Sequence, residues 1–474
     1  MKLLEIYKIL LSVFFLISTV TAKDNKKIVE NIGIFLNKLP EGSKAAVLII
    51  NPVTRDTVFK HNIFEPVIPA SNIKLFTTAV ALKLMGPDYL ISTKLFTDDI
   101  DLSDGVINGN LYIKGFGNPL FTLKDLDSLV SYLDTLKITR ITGNIIGDDS
   151  FFDNVYSRDD WIIQENANVP LPPVSALVLN RNKFTLKLNS NRRYGKLLRY
   201  AVIPDYDFVK VNMKARVTKF RTRPRITYHT DQNGFKIKVT GGMRKSRRRK
   251  YYAIFPDNPP LFTALALYEK LSKKKIIIDG KPSTGITPQF ADEIAGIDIP
   301  LKKLISITNK NSDNFLAECL FKIIGANFSG SQGNSFYATQ AVMSFIEEND
   351  IYIEGSSIVD GSGISRFNKI TVAAIVDLLE VMYGNEEIFP EYLSSLAVAG
   401  EDGTLEERFV SSVVRNNFFG KTGTLNGVSA ISGYLKTKNN NDLIVSIIME
   451  FNKKGANFYR NVQDEIIETL AENL

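Results

Sequence analysis

Hydrophobic and polar positions switch repeatedly between a helical and a strand-like period along this chain. Near the N-terminus, Asn31 to Leu39 has the spacing of a short amphipathic helix, and Ala45–Asn51 with Asp56–Lys60 reads as a strand pair around Pro52-Val53-Thr54-Arg55. Leu75 to Met85 contains neither proline nor glycine and is stopped by Gly86-Pro87, which predicts a helix beginning near Ser71. From about Thr93 to Ile254 the pattern shortens to strand-like runs, among them Val106–Ile113, Ile138–Ile146, Phe184–Leu188, Phe208–Val217 and Phe235–Val239, punctuated by Gly, Asn and Asp. Helical spacing returns at Pro260–Lys273, Leu301–Thr308, Asp313–Ile324, Phe336–Glu348 and Thr371–Gly384. Strands follow at Gly420–Thr422, Ala430–Thr437 and Asp442–Phe451, the last two as a hairpin across Asn439-Asn440-Asn441, before a final helix at Ala456–Ala471.

Strands at both ends with helices between them predict a multidomain α/β protein whose main antiparallel sheet collects N- and C-terminal strands. The main domain is expected over 23–95 and 256–474, interrupted over 96–255 by a mostly β insertion of one or two domains.

Composition narrows the chemistry. Lys2 and Lys8, the apolar run Ile9–Ile17 and Val20-Thr21-Ala22 have the layout of an export signal over 1–22, which predicts an exported protein, in a periplasm or at the outer face of the cytoplasmic membrane. Cys319 is the one cysteine, so no internal disulfide framework exists, and its apolar helical setting predicts a buried thiol. The two histidines, His61 and His229, are too few for a three-histidine zinc site, and no G-x-S-x-G elbow accompanies them. Net charge is +7, and the run from Arg244 to Lys250 carries the +6 that remains once the signal is removed. The near-neutral sum elsewhere argues against a nucleic-acid partner. The run itself reads as a solvated hairpin tip, or as a contact with an anionic envelope component.

Three short motifs carry candidate chemistry. Ser71 and Lys74 lie one helical turn apart, so a lysine with a lowered pKa can serve as base for the serine hydroxyl. Ser312-Asp313-Asn314 opens a second helix. Ser312 fits a proton relay, and Asn314 a donor to a substrate carbonyl that also steadies Lys74. Lys421-Thr422-Gly423-Thr424 sits at a strand edge, where glycine allows close backbone approach, Lys421 adds positive charge and the threonines suit a carboxylate. Each motif alone is equally a helix cap or a strand-end turn. In this order, S-x-x-K, S-x-N and K-T-G form the signature set of penicillin-binding proteins and class A β-lactamases.

The chain resembles the D-alanyl-D-alanine carboxypeptidases/endopeptidases of the S13 peptidase family, the class C low-molecular-mass penicillin-binding proteins. The resemblance rests on Ala70–Leu75, Ser312–Glu318 and Gly420–Thr424, and on four further phrases: Gly147–Phe152, Pro173–Leu177, Asp360–Arg366 and Gly400–Leu405. The separation of 241 positions from Ser71 to Ser312 suits that family's inserted domains. Gly117-Asn118-Pro119 and Glu401 depart from its usual pattern. The resemblance implies a penicillin-binding, β-lactamase-like transpeptidase fold without metal or cofactor, peptidoglycan peptides as substrates and β-lactams as inhibitors. It makes Ser71 the acylated nucleophile, Lys74 its base, and Ser312, Asn314 and Lys421 the remaining catalytic groups. Thr422, Gly423 and Thr424 would hold substrate, the N–H groups of Ser71 and Thr424 would form the oxyanion hole, and Asp148 would reach the amino end of a peptide side chain. A β-lactamase-like hydrolase, a non-catalytic wall-binding protein and a Ser-His esterase are the competing readings.

Overall fold

The computed structural model describes residues 27–99, 103–161 and 171–474; the expected signal segment, 1–22, lies outside them. A six-stranded antiparallel sheet has the order Ala397–Val398, Phe418–Leu425, Val428–Lys436, Asp442–Glu450, Lys44–Ile50, Thr57–His61. The N-terminal strand Lys44–Ile50 thus pairs with Asp442–Glu450 in unbroken register, Lys44 opposite Glu450 and Ile50 opposite Ile444.

Both faces of this sheet are buried, and the two-residue period decides which side chain goes where. Ala46, Leu48 and Ile50 point into one core, with the helices Ile73–Met85, Asn314–Ser329, Ser335–Glu348 and Val372–Tyr383. Ala45, Val47 and Ile49 point into the other, under the C-terminal helix Ala456–Asn473 and the segment over 27–37. A one-residue register slip would exchange these sets, so the register is strongly specified. Between helices and sheet, Ile73–Met85 is buried on nearly all sides, from Ile73 to Leu82. A helix apolar all round belongs in a core, which explains why this one lacked an amphipathic stripe in the sequence.

The insertion has its own core, from Leu95 through Phe184 and Phe235 to Ile276, and so reaches beyond the expected 96–255 at both ends. Its first part is a mixed five-stranded sheet of order Pro282–Thr284, Ile145–Asp148, Leu111–Gly115, Leu90–Thr97, Asp292–Pro300. Its second part is made of smaller sheets built from Phe184–Asn189 to Lys250–Ile254. The helix Pro259–Lys273, expected to begin the returning main domain, instead packs Phe262, Ala264 and Leu267 into the insertion's core. Periodicity revealed the helix but not its partner. A further helix, Leu123–Thr135, lay hidden in the strand-rich stretch; Thr122 and Asp125 close it with a capping box. Among the described residues no helix is long and apolar enough to cross a membrane.

Candidate active site

The turn before the buried helix is a short 3₁₀ segment, Ala70–Asn72, that runs directly into Ile73–Met85. Ala70 takes a left-handed backbone conformation, φ 48°. Serine at a helix start usually caps it, but no side-chain capping bond forms here. Ser71 Oγ instead accepts from Lys74 Nζ at 2.9 Å, one turn on.

Lys74 is fully buried. Its Nζ also donates to Asn314 Oδ1 at 2.7 Å and to the Ser362 carbonyl at 2.6 Å. Burial pushes its pKa from the ordinary 10.5 down to about 8, against the pull of the carboxylates Asp360, Glu318 and Asp313. A lysine near 8 supplies a usable fraction of free base at neutral pH.

Ser312 is also left-handed, φ 53°, where a non-glycine residue is uncommon. It does not cap its helix. Asp313 does, accepting from Leu316 N at 3.1 Å, and the same carboxylate is paired with Arg181 from the insertion. Ser312 Oγ is thereby left to accept from Lys421 Nζ at 2.8 Å. Lys421 is fully buried, and burial together with the nearby Lys74 charge holds its pKa well below the usual lysine value.

Lys421 stands on Phe418–Leu425, whose outer side pairs with Ala397–Val398 only at Gly420 and Phe419. From Lys421 to Leu425 the edge has no strand beside it among the described residues, so an extended peptide could add there. Gly423 has a second reason to be glycine. A Cβ there would lie 2.9 Å from the Pro69 carbonyl and 3.1 Å from Ala70 Cβ, so its bareness lets the serine turn seat against the strand.

These groups meet in a cavity of about 820 Å³ lined by Ser71, Ser312, Asn314, Thr404 and Thr422 to Thr424. Thr422 Oγ1 donates to Thr404 Oγ1 at 2.8 Å, and Arg460 from the C-terminal helix donates to Thr424 Oγ1 at 3.0 Å. Eight of the nine residues expected at the site therefore converge.

Asp148 does not. It is fully buried in the insertion's sheet, its carboxylate accepting from Ser150 N at 2.9 Å and Thr287 N at 2.7 Å, with Lys114 Nζ at 3.3 Å. Those bonds outweigh burial and lower its pKa. Its acceptors are spent on fold contacts, and it is absent from the cavity wall. The histidines are elsewhere too: His229 Nδ1 lies 2.9 Å from Asp257 in the insertion, and His61 sits at the sheet's far edge strand. A Ser-His arrangement is thus excluded.

The sequence profile of the D-Ala-D-Ala carboxypeptidase 3 (S13) family matches residues 28–473. The chain belongs to the S13 family. The D-alanyl-D-alanine carboxypeptidase DacB of Haemophilus influenzae is 25% identical over 412 residues, 85% of each chain. The D-alanyl-D-alanine carboxypeptidase of Actinomadura sp. (strain R39) is 26% identical over 446 residues, 91% of this chain and 82% of that one. Among solved structures, penicillin binding protein 4 (dacB) of Haemophilus influenzae superposes with a TM-score of 0.80 at 24% identity, covering 92% of this chain and 99% of that one. This places the S13 fold on the whole described chain.

The S13 site holds several groups that sequence motifs did not assign. The Asp360-Gly361-Ser362-Gly363 loop, visible in the sequence only as a family phrase, supplies the Ser362 carbonyl to Lys74. Asp360 shapes it by accepting from Gly363 N and Ser365 N, each at 2.8 Å, and Glu318 by accepting from Ser362 N at 2.8 Å. Burial raises the pKa of both carboxyls, and Asp360 raises Glu318 further. Arg460 had no motif around it. Only the docking of the C-terminal helix brings it to Thr424.

Proposed function

We propose that this S13 chain is a serine D-Ala-D-Ala carboxypeptidase acting on peptidoglycan stem peptides. One observation carries the reading: a buried lysine of lowered pKa, Lys74, is held 2.9 Å from Ser71 Oγ by acceptors that cannot donate back. In its free-base form Lys74 has two N–H bonds. Asn314 Oδ1 and the Ser362 carbonyl take them, and the lone pair faces the Ser71 hydroxyl.

Lys74 then takes the Ser71 proton as Oγ attacks the carbonyl between two D-alanines. The N–H groups of Ser71 and Thr424 serve as the oxyanion hole, a device worth about 10²–10³ in rate per donor. Ser312 passes a proton to the leaving D-alanine amine and is recharged by Lys421, 2.8 Å away. Water hydrolyses the acyl-enzyme. The substrate lies along the open edge Lys421–Leu425, with Asn314 donating its amide N–H. Its terminal carboxylate is met by Thr422, Thr424 and Arg460. The same step on a peptide crosslink is endopeptidase action, and a β-lactam acylates Ser71 in the same way. A β-lactam complex of the Haemophilus influenzae protein supports that last point. Export follows from the reading of residues 1–22. The Arg244–Lys250 run is read as an envelope contact.

Purified wall fragments incubated with the protein and weighed by mass spectrometry test this. Loss of terminal D-alanine, absent with Ser71→Ala, is expected; loss of crosslinks measures the endopeptidase share. Intact fragments, together with failure of a fluorescent penicillin to label Ser71, would leave a non-catalytic wall-binding protein.

A further inference from the structure

The near-neutral charge outside the Arg244–Lys250 run conceals a strong segregation. Residues 183–256 hold 21 lysines and arginines against three aspartates, a net +18, which leaves the other 400 residues at −11. The sum cancels; the field does not.

The run is also not a hairpin tip. Gly234–Arg244 and Lys250–Ile254 pair in different sheets, so 245–249 is a crossing between them. Two other loops are tied to it. Lys245 N donates to the Thr218 carbonyl at 3.2 Å. The buried Ser190 donates to the Arg244 carbonyl at 2.9 Å and accepts from Ser246 N at 3.1 Å. Lys219 and Lys245 both lie over the Tyr194 ring, at 5.9 and 5.5 Å. The loops at 219–223 and 244–250 enclose an open cavity of about 710 Å³ with no acidic residue in its wall. Among the described residues, no lysine or arginine of these two loops is paired with a carboxylate. Such a concentration of like charge is held in place by backbone bonds and costs stability unless an anion meets it.

Aromatic rings stand at the same end. Phe220, between Lys219 and Arg221, is 79% exposed, and Tyr251 and Tyr194 are more than half exposed. A soluble polyanion offers Phe220 no apolar layer. An anionic bilayer offers phosphates to the cations and the headgroup–acyl boundary to the rings.

We propose that the end of the insertion formed by the loops 190–196, 219–223 and 244–250 docks on an anionic lipid bilayer. The proposal rests on the export reading but is independent of the Ser71 chemistry. The experiment is co-sedimentation of the protein, purified after export, with phosphatidylcholine vesicles and with vesicles containing phosphatidylglycerol. Binding is expected only to the second kind and should fall steeply with salt. The combined variant R247E/R248E/R249E should bind more than about 100-fold more weakly, at about fivefold per charge. Phe220→Ser should bind about tenfold more weakly at unchanged charge. Neither variant should lower the parent's melting temperature or its penicillin labelling, and R247E/R248E/R249E, which relieves like-charge repulsion, should melt no earlier than the parent, so failure here is distinct from failure of the peptidase reading. Equal binding to both vesicle types overturns the proposal. So does binding that Phe220→Ser leaves unchanged and soluble polyphosphate abolishes at matched phosphate, which would mark a site for soluble anionic polymer.

Discussion

Lys74 Nζ donates to the main-chain carbonyl of Ser362 at 2.6 Å, across 288 residues of sequence. A carbonyl oxygen is acceptor-only and its position is set by the backbone, so it fixes one N–H of the lysine in either protonation state. With Asn314 Oδ1 taking a second, the remaining direction on Nζ points at Ser71 Oγ. The Asp360–Gly363 loop therefore acts on the base through its main chain. The buried carboxyls Asp360 and Glu318 act by holding that main chain in shape.

The rate of acylation should follow the free-base fraction of Lys74. With a pKa near 8, it rises about tenfold per pH unit below that value, and it turns down at higher pH once Lys421 loses the proton that recharges Ser312. Stopped-flow acylation by a chromogenic cephalosporin across pH 6–10 reads this limb. The linked stability effect has the same sign. Because the folded pKa lies below the ordinary 10.5, the unfolded chain holds more protons between about 8 and 10.5, so stability rises with pH over that window and is lowest below it.

Gly363→Ala should damage both fold and site. Gly363 has φ +78°, and a Cβ there would lie 1.8 Å from the Ala70 carbonyl, against the turn that carries Ser71. Backbone cannot yield as a side-chain tip can. A loss on the order of 1–3 kcal/mol by denaturant unfolding is expected, with slower penicillin labelling. Wild-type acylation at wild-type stability would remove the supporting role of this loop.

Asp313 has two separable duties. Asp313→Ala removes the cap on Leu316 N and should cost about 1 kcal/mol. Asp313→Asn keeps the cap and removes a negative charge that raises Lys74. Its stability should stay close to the parent, while the acylation limb moves to lower pH. The exposed partner Arg181, 43% accessible, should matter less: Arg181→Ala is expected to cost at most about 1 kcal/mol.

Arg460→Ala should raise KM for D-Ala-D-Ala peptides about tenfold, the scale of one lost charge-assisted hydrogen bond. A peptide ending in a carboxamide should show no such change. Equal effects on both substrates would mean that Arg460 supports Thr424 and does not meet the carboxylate.

Much of the site was legible because helical geometry is local. Ser71 and Lys74 are one turn apart in any helix, and Gly86-Pro87 marks where that helix ends. The apolar runs within Lys44–Ile50 and Asp442–Glu450 likewise announced strands, and the sheet buries both of their faces. Distant relations were not legible in that way. Asp148 carries a site-like phrase, yet its carboxylate closes bonds to Ser150 and Thr287 inside a sheet. Arg460 lies in an unremarkable amphipathic stretch and reaches the cavity because one face of its helix packs on the sheet. Period and spacing were enough for most of the elements, Leu123–Thr135 excepted, and for the serine–lysine pair and the three ordered motifs. Tertiary packing is what leaves both Ser71 and Ser312 uncapping and bonded to lysines, lowers the pKa of Lys74, and gathers scattered cations on one end of the insertion. Those properties are set by burial and by contacts between residues hundreds of positions apart, and one-dimensional pattern does not record them.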